Sequence, residues 1–298
     1  MRIRYVKNSL AGQLFDAFNI ILMILITFVM IYPFWQQLVV SLNVGLDTAR
    51  GGLYFWPRMF TWENYRYMLA QEGLLRGAWI SVLRVVVGVS TSLFCTGLLA
   101  YVTSVKWFSA RRVIRLMFLI TMYFGGGLIP FYLLIIRLGL LNTFTVYWLP
   151  GLFGAFGMLL ISSYMHNLSD SLAESARMDG CSEMGIYLRI VAPLCLPVFA
   201  ALAVMGAVSH WNAWFDVMMF NPGGDWDTLQ MYLRRILLEA EMLNQLLADQ
   251  RRYDELRRLT PVSIRAATTM IVTLPIVFVY PFFQKYFIGG LTLGAIKE

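Results

Sequence analysis

The sequence predicts an all-α integral membrane protein with six transmembrane helices. Of its 298 residues, 59% are hydrophobic and only 14% are charged, whereas a soluble globular domain has about 25% charged residues. The mean hydropathy of +0.64 agrees with this class. A charge at the bilayer centre costs at least about 2.5 kcal/mol, so spans are expected where Asp, Glu, Lys and Arg are absent. Six charge-free windows reach the length of about 20 residues that one span needs.

The six windows define a single membrane domain that covers residues 1–298. They predict spans at about 17–40, 80–105, 116–136, 147–169, 190–213 and 266–286, and proline and polar breaks trim the first and fourth windows. The third window contains Gly125-Gly126-Gly127 followed by Pro130. Glycine and proline interrupt helix hydrogen bonding, so we expect a kinked or broken helix there.

Orientation follows from the basic residues of short loops. The loop between the second and third spans holds four basic residues and no acid, namely Lys106, Arg111, Arg112 and Arg115. The N-terminal arm adds Arg2, Arg4 and Lys7. Because six spans place both ends on one side, both termini are expected in the cytoplasm. Residues 170–189 then lie inside, and the two exterior segments are residues 47–79 and 216–262.

The second exterior segment carries an amphipathic pattern. After the turn Asn221-Pro222-Gly223-Gly224, leucines and isoleucines recur at three- and four-residue steps between charged residues, up to Pro261. This spacing predicts a helix or a helical hairpin. Two interpretations remain open: the helix packs against its own membrane domain, or it docks a partner protein.

Enzyme signatures are absent from the sequence. None of the four lysines follows a glycine, so there is no Walker A phosphate loop, and GxSxG and HExxH motifs are missing. The two histidines, His166 and His210, have no partner at metal-ligand spacing. The basic residues are spread along the chain, which argues against a nucleic-acid surface. If this chain drives transport uphill, another chain must supply the energy.

Residues 170–189 form the most informative segment. Ser169, Asp170 or Ser171 suits the N-cap of a short surface helix, and Gly180 suits its C-terminal stop. A second helix is expected from about Ser182 into Pro193. Taken alone, the pattern fits either an ordinary interfacial helix or a lever that transmits a push to the next span.

This segment resembles the EAA motif of ABC importer permeases. The matching positions are Glu174, Ala176, Asp179, Gly180, Pro193 and Pro197. Ser175 replaces the middle alanine of the motif, and Cys181 stands where a small alanine is common. The runs Phe55-Trp56-Pro57, Tyr123 to Pro130, Leu138 to Thr143 and Trp211-Asn212 are similar to the carbohydrate-uptake branch, and more narrowly to permeases for oligosaccharides and polysaccharide fragments.

The resemblance implies the type I ABC importer permease fold and a transport function without catalysis by this chain. In that family the motif is a coupling helix that docks on a cytoplasmic ATPase, which assigns this role to Glu174, Ser175, Ala176, Asp179 and Gly180. The implied partners are a second permease subunit in a heterodimer, two ATPase subunits, an extracytoplasmic solute-binding protein, a saccharide and the lipid of a bacterial cytoplasmic membrane. ATP and magnesium would bind the ATPases, so no cofactor is expected in this chain. A permease for a non-sugar solute, such as an amino acid or phosphate, is the alternative.

Aromatic and amide side chains suit a saccharide path, because planar rings stack on sugar rings and amides bond their hydroxyls. The candidates are Tyr123, Tyr147, Trp211, Asn212 and Trp214. Aromatic residues near span ends also form interfacial belts or core contacts, and that interpretation stays open for all five.

Overall fold

The structure, a computed structural model, describes residues 10–248 and 260–292, without the side chains at positions 11, 240, 241, 243–248 and 279–292. The basic N-terminal arm, residues 249–259 of the second exterior segment and the last six residues lie outside these ranges. Helices account for most of the described chain, and no β-strand occurs in it beyond an isolated bridge between Asn43 and Phe60.

The helices occur along the chain in the following order. The first six are α1 (Leu10–Ser41), α2 (Gly45–Thr48), α3 (Glu63–Leu69), α4 (Glu72–Ser104), α5 (Arg111–Tyr123) and α6 (Leu128–Arg137). Two 3-10 turns, Phe144–Tyr147 and Leu149–Gly151, precede α7 (Ala155–Met165). Then come α8 (Asp170–Met178), α9 (Glu183–Ile186), a π-helical turn (Tyr187–Val191), α10 (Ala192–Leu194), α11 (Leu196–Asn212), α12 (Phe215–Phe220), α13 (Leu229–Ala248) and α14 (Pro261–Thr292).

The chain divides into two compact units, one of residues 1–70 and 236–271 and the other of residues 71–235 and 272–298. In the first unit, α1 carries an apolar stretch from Gly12 to Ser41 with a mean hydropathy of 2.5. Most of its large apolar side chains are exposed. A surface of this size and character is unfavourable in water and suits the interior of a membrane.

The loop after α1 is held by hydrogen bonds among polar side chains of the first unit, of which Asn43, Asp47 and Asn64 are buried. The Nδ2 of Asn43 donates to Oδ2 of Asp47 at 3.0 Å, and the Nε of Arg58 donates to the same oxygen at 2.9 Å. The Nδ2 of Asn64 donates to the carbonyl of Ser41 at 2.8 Å. The Asn43 amide and the Arg58 guanidinium hold the pKa of the Asp47 carboxyl below its usual value. These bonds order the start of the first exterior segment.

In the second unit, α4 packs along α7 and α11. One buried cluster joins residues 170–189 to these helices through Ala100, Tyr101, Met158, Ile161, Met165, Ala176, Ile186, Tyr187, Val191, Cys195 and Val198. A second cluster consists of Ile135, Val146, Tyr147, Val217, Phe220 and Met231. The first cluster includes Ala176 of α8 and Ile186 of α9, and the second includes Tyr147, one of the substrate-path candidates.

Three described helices are long and apolar enough to cross a membrane, within Gly12–Ser41, Glu72–Ser104 and Pro261–Phe278. Three further pairs pass the same test as bent spans, with bends of 119° between α5 and α6, 45° between the 3-10 turns and α7, and 80° between residues 183–194 and 196–212. Counting each pair once gives up to six spans. The expected interruption at Gly125-Gly126-Gly127 is present. Helix α4 begins at Glu72, so residues 72–79 of the first exterior segment are its first turns.

Candidate functional site

Helix α8 is terminated by a glycine in a left-handed conformation. Gly180 follows the C-cap Asp179 and has φ +75°. The amide of Gly180 donates to the carbonyl of Arg177 at 3.0 Å, and the amide of Cys181 donates to that of Ala176 at 2.9 Å. This pair of bonds is the Schellman arrangement, which satisfies carbonyls that the helix end leaves free. At the other end, Ser169 occupies the N-cap position without a capping bond from its side chain, and its hydroxyl bonds that of Ser171 at 2.7 Å.

The two faces of α8 have opposite environments. Ala176 is only 8% exposed and belongs to the first buried cluster. Glu174, Ser175 and Asp179 are exposed, and Met178 is 88% exposed. The structure therefore places the EAA residues on a helix with one anchored face and one free face.

A three-residue cluster attaches this helix to the following one and to α4. Glu183, at the start of α9, accepts hydrogen bonds from the Nε of Arg177 at 2.6 Å and from the hydroxyl of Tyr101 at 2.6 Å. The bond from Arg177 lowers the pKa of the Glu183 carboxyl, and that carboxylate raises the pKa of the Arg177 guanidinium. Sequence reasoning singled out the segment that contains Arg177 and Glu183 but assigned neither residue a role.

A second ion pair, between Lys106 and Asp170, joins the loop after α4 to the first turn of α8. Both side chains are largely exposed, and the hydrogen bond from Lys106 lowers the pKa of the Asp170 carboxyl. Beside these contacts lies a cavity of about 300 Å³, lined by Tyr101, His166, Glu174 and Arg177 among others. Because of this cavity, α8 has free space on one side. A helix that is densely packed on all sides would resist displacement.

The substrate-path candidates occupy different environments. Tyr123, at the end of α5, is 76% exposed. Tyr147 is buried in the second cluster, and its hydroxyl donates to the carbonyl of Trp226 at 2.9 Å. The indole Nε1 of Trp211 donates to the carbonyl of Val272 at 3.2 Å. These last two bonds give Tyr147 and Trp211 a structural role in addition to any contact with a solute.

The remaining two candidates lie beside α13. Asn212 is exposed, and its Oδ1 accepts a hydrogen bond from the Nε2 of Gln230 at 3.1 Å. The guanidinium of Arg234 lies over the ring of Trp214, with 3.7 Å between its central carbon and the ring centroid. Within the described part of the chain, no hydrogen bond or ring contact joins one of the five candidates directly to another.

Sequence reasoning missed a buried charge in α4. Arg84 is 3% exposed and forms an ion pair with Asp216 at the start of α12. Its guanidinium lies 4.7 Å from the ring centroid of Tyr147, and the Nδ1 of His210 is 3.4 Å from its Nε. Arg84 lies within the predicted span 80–105, one residue before its charge-free stretch begins at Val85, and the sequence analysis assigned it no role. An Arg with apolar residues on both sides was the available signal.

The described residues contain no group of three or more His, Cys, Asp or Glu side chains placed to hold a metal ion. The arrangement consists of an anchored surface helix, α8, and of polar and aromatic side chains distributed along α4, α11 and α13.

No protein-family model matches the chain. Among curated proteins, it is 34% identical over 298 residues to protein LplC of Bacillus subtilis, covering 99% of both chains. It is 29% identical over 290 residues to YtcP of the same organism, a polygalacturonan/rhamnogalacturonan transport system permease protein, covering 96% of this chain and 99% of that one. It is also 29% identical over 281 residues to the arabinooligosaccharide transport permease AraQ of Halalkalibacterium halodurans, covering 91% and 93%.

Similarity to solved structures also points to ABC transporter permeases. A chain of a bacterial ABC transporter involved in import of the acidic polysaccharide alginate has a TM-score of 0.85 and 26% identity, with coverage of 95% of this chain and 99% of that one. A chain of the alginate transporter in complex with its pentasaccharide-bound periplasmic protein has a TM-score of 0.53 at 14% identity and supports the fold alone. These similarities confirm the predicted fold class and the resemblance based on the EAA motif. The chain belongs to the family of ABC transporter permeases whose named members include oligosaccharide and polysaccharide permeases.

Proposed function

We propose that this chain is a permease subunit of an ATP-driven importer that moves oligosaccharides or polysaccharide fragments into a bacterial cytoplasm by alternating access. The relatives named for polygalacturonan, rhamnogalacturonan and arabinooligosaccharides support a saccharide substrate. The structurally similar alginate importer supports it as well. The geometry of α8 is the observation on which the mechanism rests. This helix is anchored through Ala176 and Arg177, and the side chains of Glu174, Ser175 and Met178 are exposed.

The free face of α8 suits a cytoplasmic ATPase. In this proposal two ATPase subunits bind ATP and magnesium, and their closure pushes the segment from Glu174 to Gly180. The ion pair of Arg177 with Glu183 and the bond from Tyr101 transmit that displacement to α9 and α4. Such a lever works only if the helices have two packings that ATP and solute bias differently.

The other partners and the topology complete the proposal. A second permease subunit shares the pore, and a solute-binding protein delivers the saccharide outside. The precedent for this last partner is an alginate transporter of the same fold, which forms a complex with a periplasmic protein that binds an alginate pentasaccharide. Both termini and residues 170–189 lie in the cytoplasm, whereas residues 47–79 and 216–262 lie outside. Tyr123, Tyr147, Trp211, Asn212 and Trp214 contribute to the saccharide path.

Co-purification tests the coupling part of this proposal. The tagged chain is expressed with its neighbouring transport genes, and the variant Met178→Glu places a charge on the free face of α8. We expect this variant to lose the ATPase, because a charge in an apolar contact is unfavourable. The matched control Met242→Glu alters an exposed methionine of α13 and retains the ATPase. Equal recovery of the ATPase with both variants would overturn the docking role of α8.

Uptake measurements test the substrate part. Cells that carry the complete importer receive labelled trigalacturonate, arabinotriose, an amino acid mixture and phosphate in separate experiments. The proposal expects uptake of a saccharide that disappears when the gene for this chain is deleted. Uptake confined to the amino acids or phosphate would replace it with a permease for that solute class.

A further inference from the structure

We propose that Arg234, held against Trp214, is a subsite for the carboxylate of an acidic sugar residue. This inference rests on the proposed saccharide import and narrows it to uronate-containing oligosaccharides. It concerns a short stretch of α13 and the turn between α11 and α12, all within the second unit.

The guanidinium of Arg234 is held in place by an aromatic ring. Its central carbon lies 3.7 Å from the ring centroid of Trp214, which is a cation–π contact. This contact restrains the guanidinium, whose nitrogens form a planar donor fork. Such a preorganised fork matches the two oxygens of a carboxylate better than a flexible ammonium does.

A second contact brings the same face of α13 onto the same turn. Gln230 lies one helical turn before Arg234, and its Nε2 donates to Oδ1 of Asn212 at 3.1 Å. Asn212 precedes Trp214 by two residues and is exposed. An amide pair and a stacked cation therefore stand side by side, which supplies donors for sugar hydroxyls next to a donor fork for a carboxylate.

Within the described ranges, Arg234 differs from Arg235 and Arg84 in having no acidic partner. Arg235 pairs with Asp227 at 2.9 Å, and Arg84 pairs with Asp216. Among the described residues, Arg234 forms no ion pair, and its buried Nε has no hydrogen-bond acceptor. A buried donor without an acceptor is unfavourable and rare in folded proteins. An arriving anion would compensate the charge, whereas a neutral sugar would not.

The test of this subsite compares the uptake of an acidic trisaccharide with that of a neutral one. Cells carrying the complete importer are supplied with labelled trigalacturonate or with its carboxyl-reduced neutral counterpart. We expect Arg234→Gln to lower trigalacturonate uptake about tenfold, the effect of losing one charge-assisted hydrogen bond. Uptake of the reduced trisaccharide by this variant should stay within about twofold of wild type, because the reduced sugar has no carboxylate that could bond Arg234.

Two further variants guard against an effect of folding or of net charge. Arg235→Gln removes the same charge one residue away and should leave the ratio of acidic to neutral uptake unchanged. Arg234→Lys keeps the charge but loses the planar fork, so it should recover only part of the trigalacturonate uptake. Membrane levels of each variant are measured by immunoblot, and uptake is expressed per amount of protein.

The outcomes separate this inference from the proposal beneath it. Equal loss of both trisaccharides with Arg234→Gln, or no loss of either, overturns the carboxylate subsite. Import of neutral saccharides alone by the wild type also overturns it while leaving saccharide import intact. Failure of the wild type to import any saccharide of the panel overturns the proposed function and this inference with it.

Discussion

The hydroxyl of Tyr101 donates a hydrogen bond to Oε2 of Glu183 at 2.6 Å, across 82 positions of sequence. Tyr101 lies in the last turn of α4, and Glu183 is the first residue of α9. Arg177 of α8 binds the same carboxylate through its Nε at 2.6 Å. The Glu183 carboxylate thus joins α4 to α8 and α9. Two hydrogen bonds connect α8 to α4 through this carboxylate, so a displacement of α8 would act on α4.

Removal of the Tyr101 hydroxyl should weaken this connection. We expect Tyr101→Phe to destabilise the protein by about 1.5 kcal/mol, the lower end of the range for a bond to a charged group, because the Glu183 side chain is partly exposed. Thermal unfolding of the purified importer should show a lower midpoint, and less saccharide should be imported per ATP hydrolysed. The control is Tyr187→Phe, because the ring of Tyr187 lies 5.5 Å from that of Tyr101 at a tilt of 37° and its hydroxyl forms no hydrogen bond to a described residue. Equal effects of the two variants would contradict this prediction.

The Glu183 carboxylate also predicts a dependence of stability on pH. The bond from Arg177 holds the pKa of Glu183 below its usual 4.5, with a smaller contribution from Tyr101 and an opposing one from burial. A group whose pKa is lower in the folded state stabilises that state above the unfolded pKa. This stabilisation is lost as the pH falls through the folded pKa.

The measurement is a set of unfolding midpoints between about pH 6 and pH 3.5, the range that spans the titration of a carboxyl group. Wild type should lose more stability on acidification than Glu183→Gln, which cannot titrate at this position. Asp47 and Asp170 have lowered pKa values in both proteins, so their contributions cancel in the difference. Parallel pH curves for the two proteins would show that Glu183 is not linked to folding.

Gly180 is predicted to be sensitive because of its backbone and not because of its surroundings. A Cβ at this position would meet no atom within 4 Å, yet φ is +75°. The left-handed conformation costs an L-residue roughly 1–2 kcal/mol, so Gly180→Ala should destabilise by about 1 kcal/mol and reduce transport. Gly151→Ala is the matched control, since its Cβ also meets open space and its φ is not positive. Equal unfolding midpoints for the two alanine variants would refute a conformational role for Gly180.

The sequence located the helices well where composition alone decides. Lipid disfavours charge, so the charge-free windows fall largely within α1, α4 and α14, and glycines mark the break before α6. The angle of 119° at that break was not predictable. A run of glycines permits many directions, and the direction is set by contacts with residues such as Phe220, which packs on Phe131 of α6.

The candidate site was predictable to the extent that it depends on local sequence. Glu174 to Gly180 form one helix and one turn, so their types and spacing sufficed to find them. Tyr101 and Asp216 gain their roles from partners 82 and 132 positions away. Pairing at such distances depends on how the helices pack, and spacing within a single sequence does not encode it.

The ion pair of Arg84 and Asp216 gives the largest expected effect on stability. The Arg84 side chain is 4% exposed and that of Asp216 is 32% exposed. Asp216→Asn would leave a buried guanidinium without its counter-charge, which costs about 3 kcal/mol or more. The double variant Arg84→Met with Asp216→Asn should recover part of this loss, because removing both charges also removes their desolvation cost. Lys106→Gln, which breaks the exposed pair with Asp170, should cause no measurable change, since solvent screens such pairs. Unfolding midpoints of the single and double variants provide the test: strictly additive losses would show that Arg84 and Asp216 do not stabilise the fold as a pair.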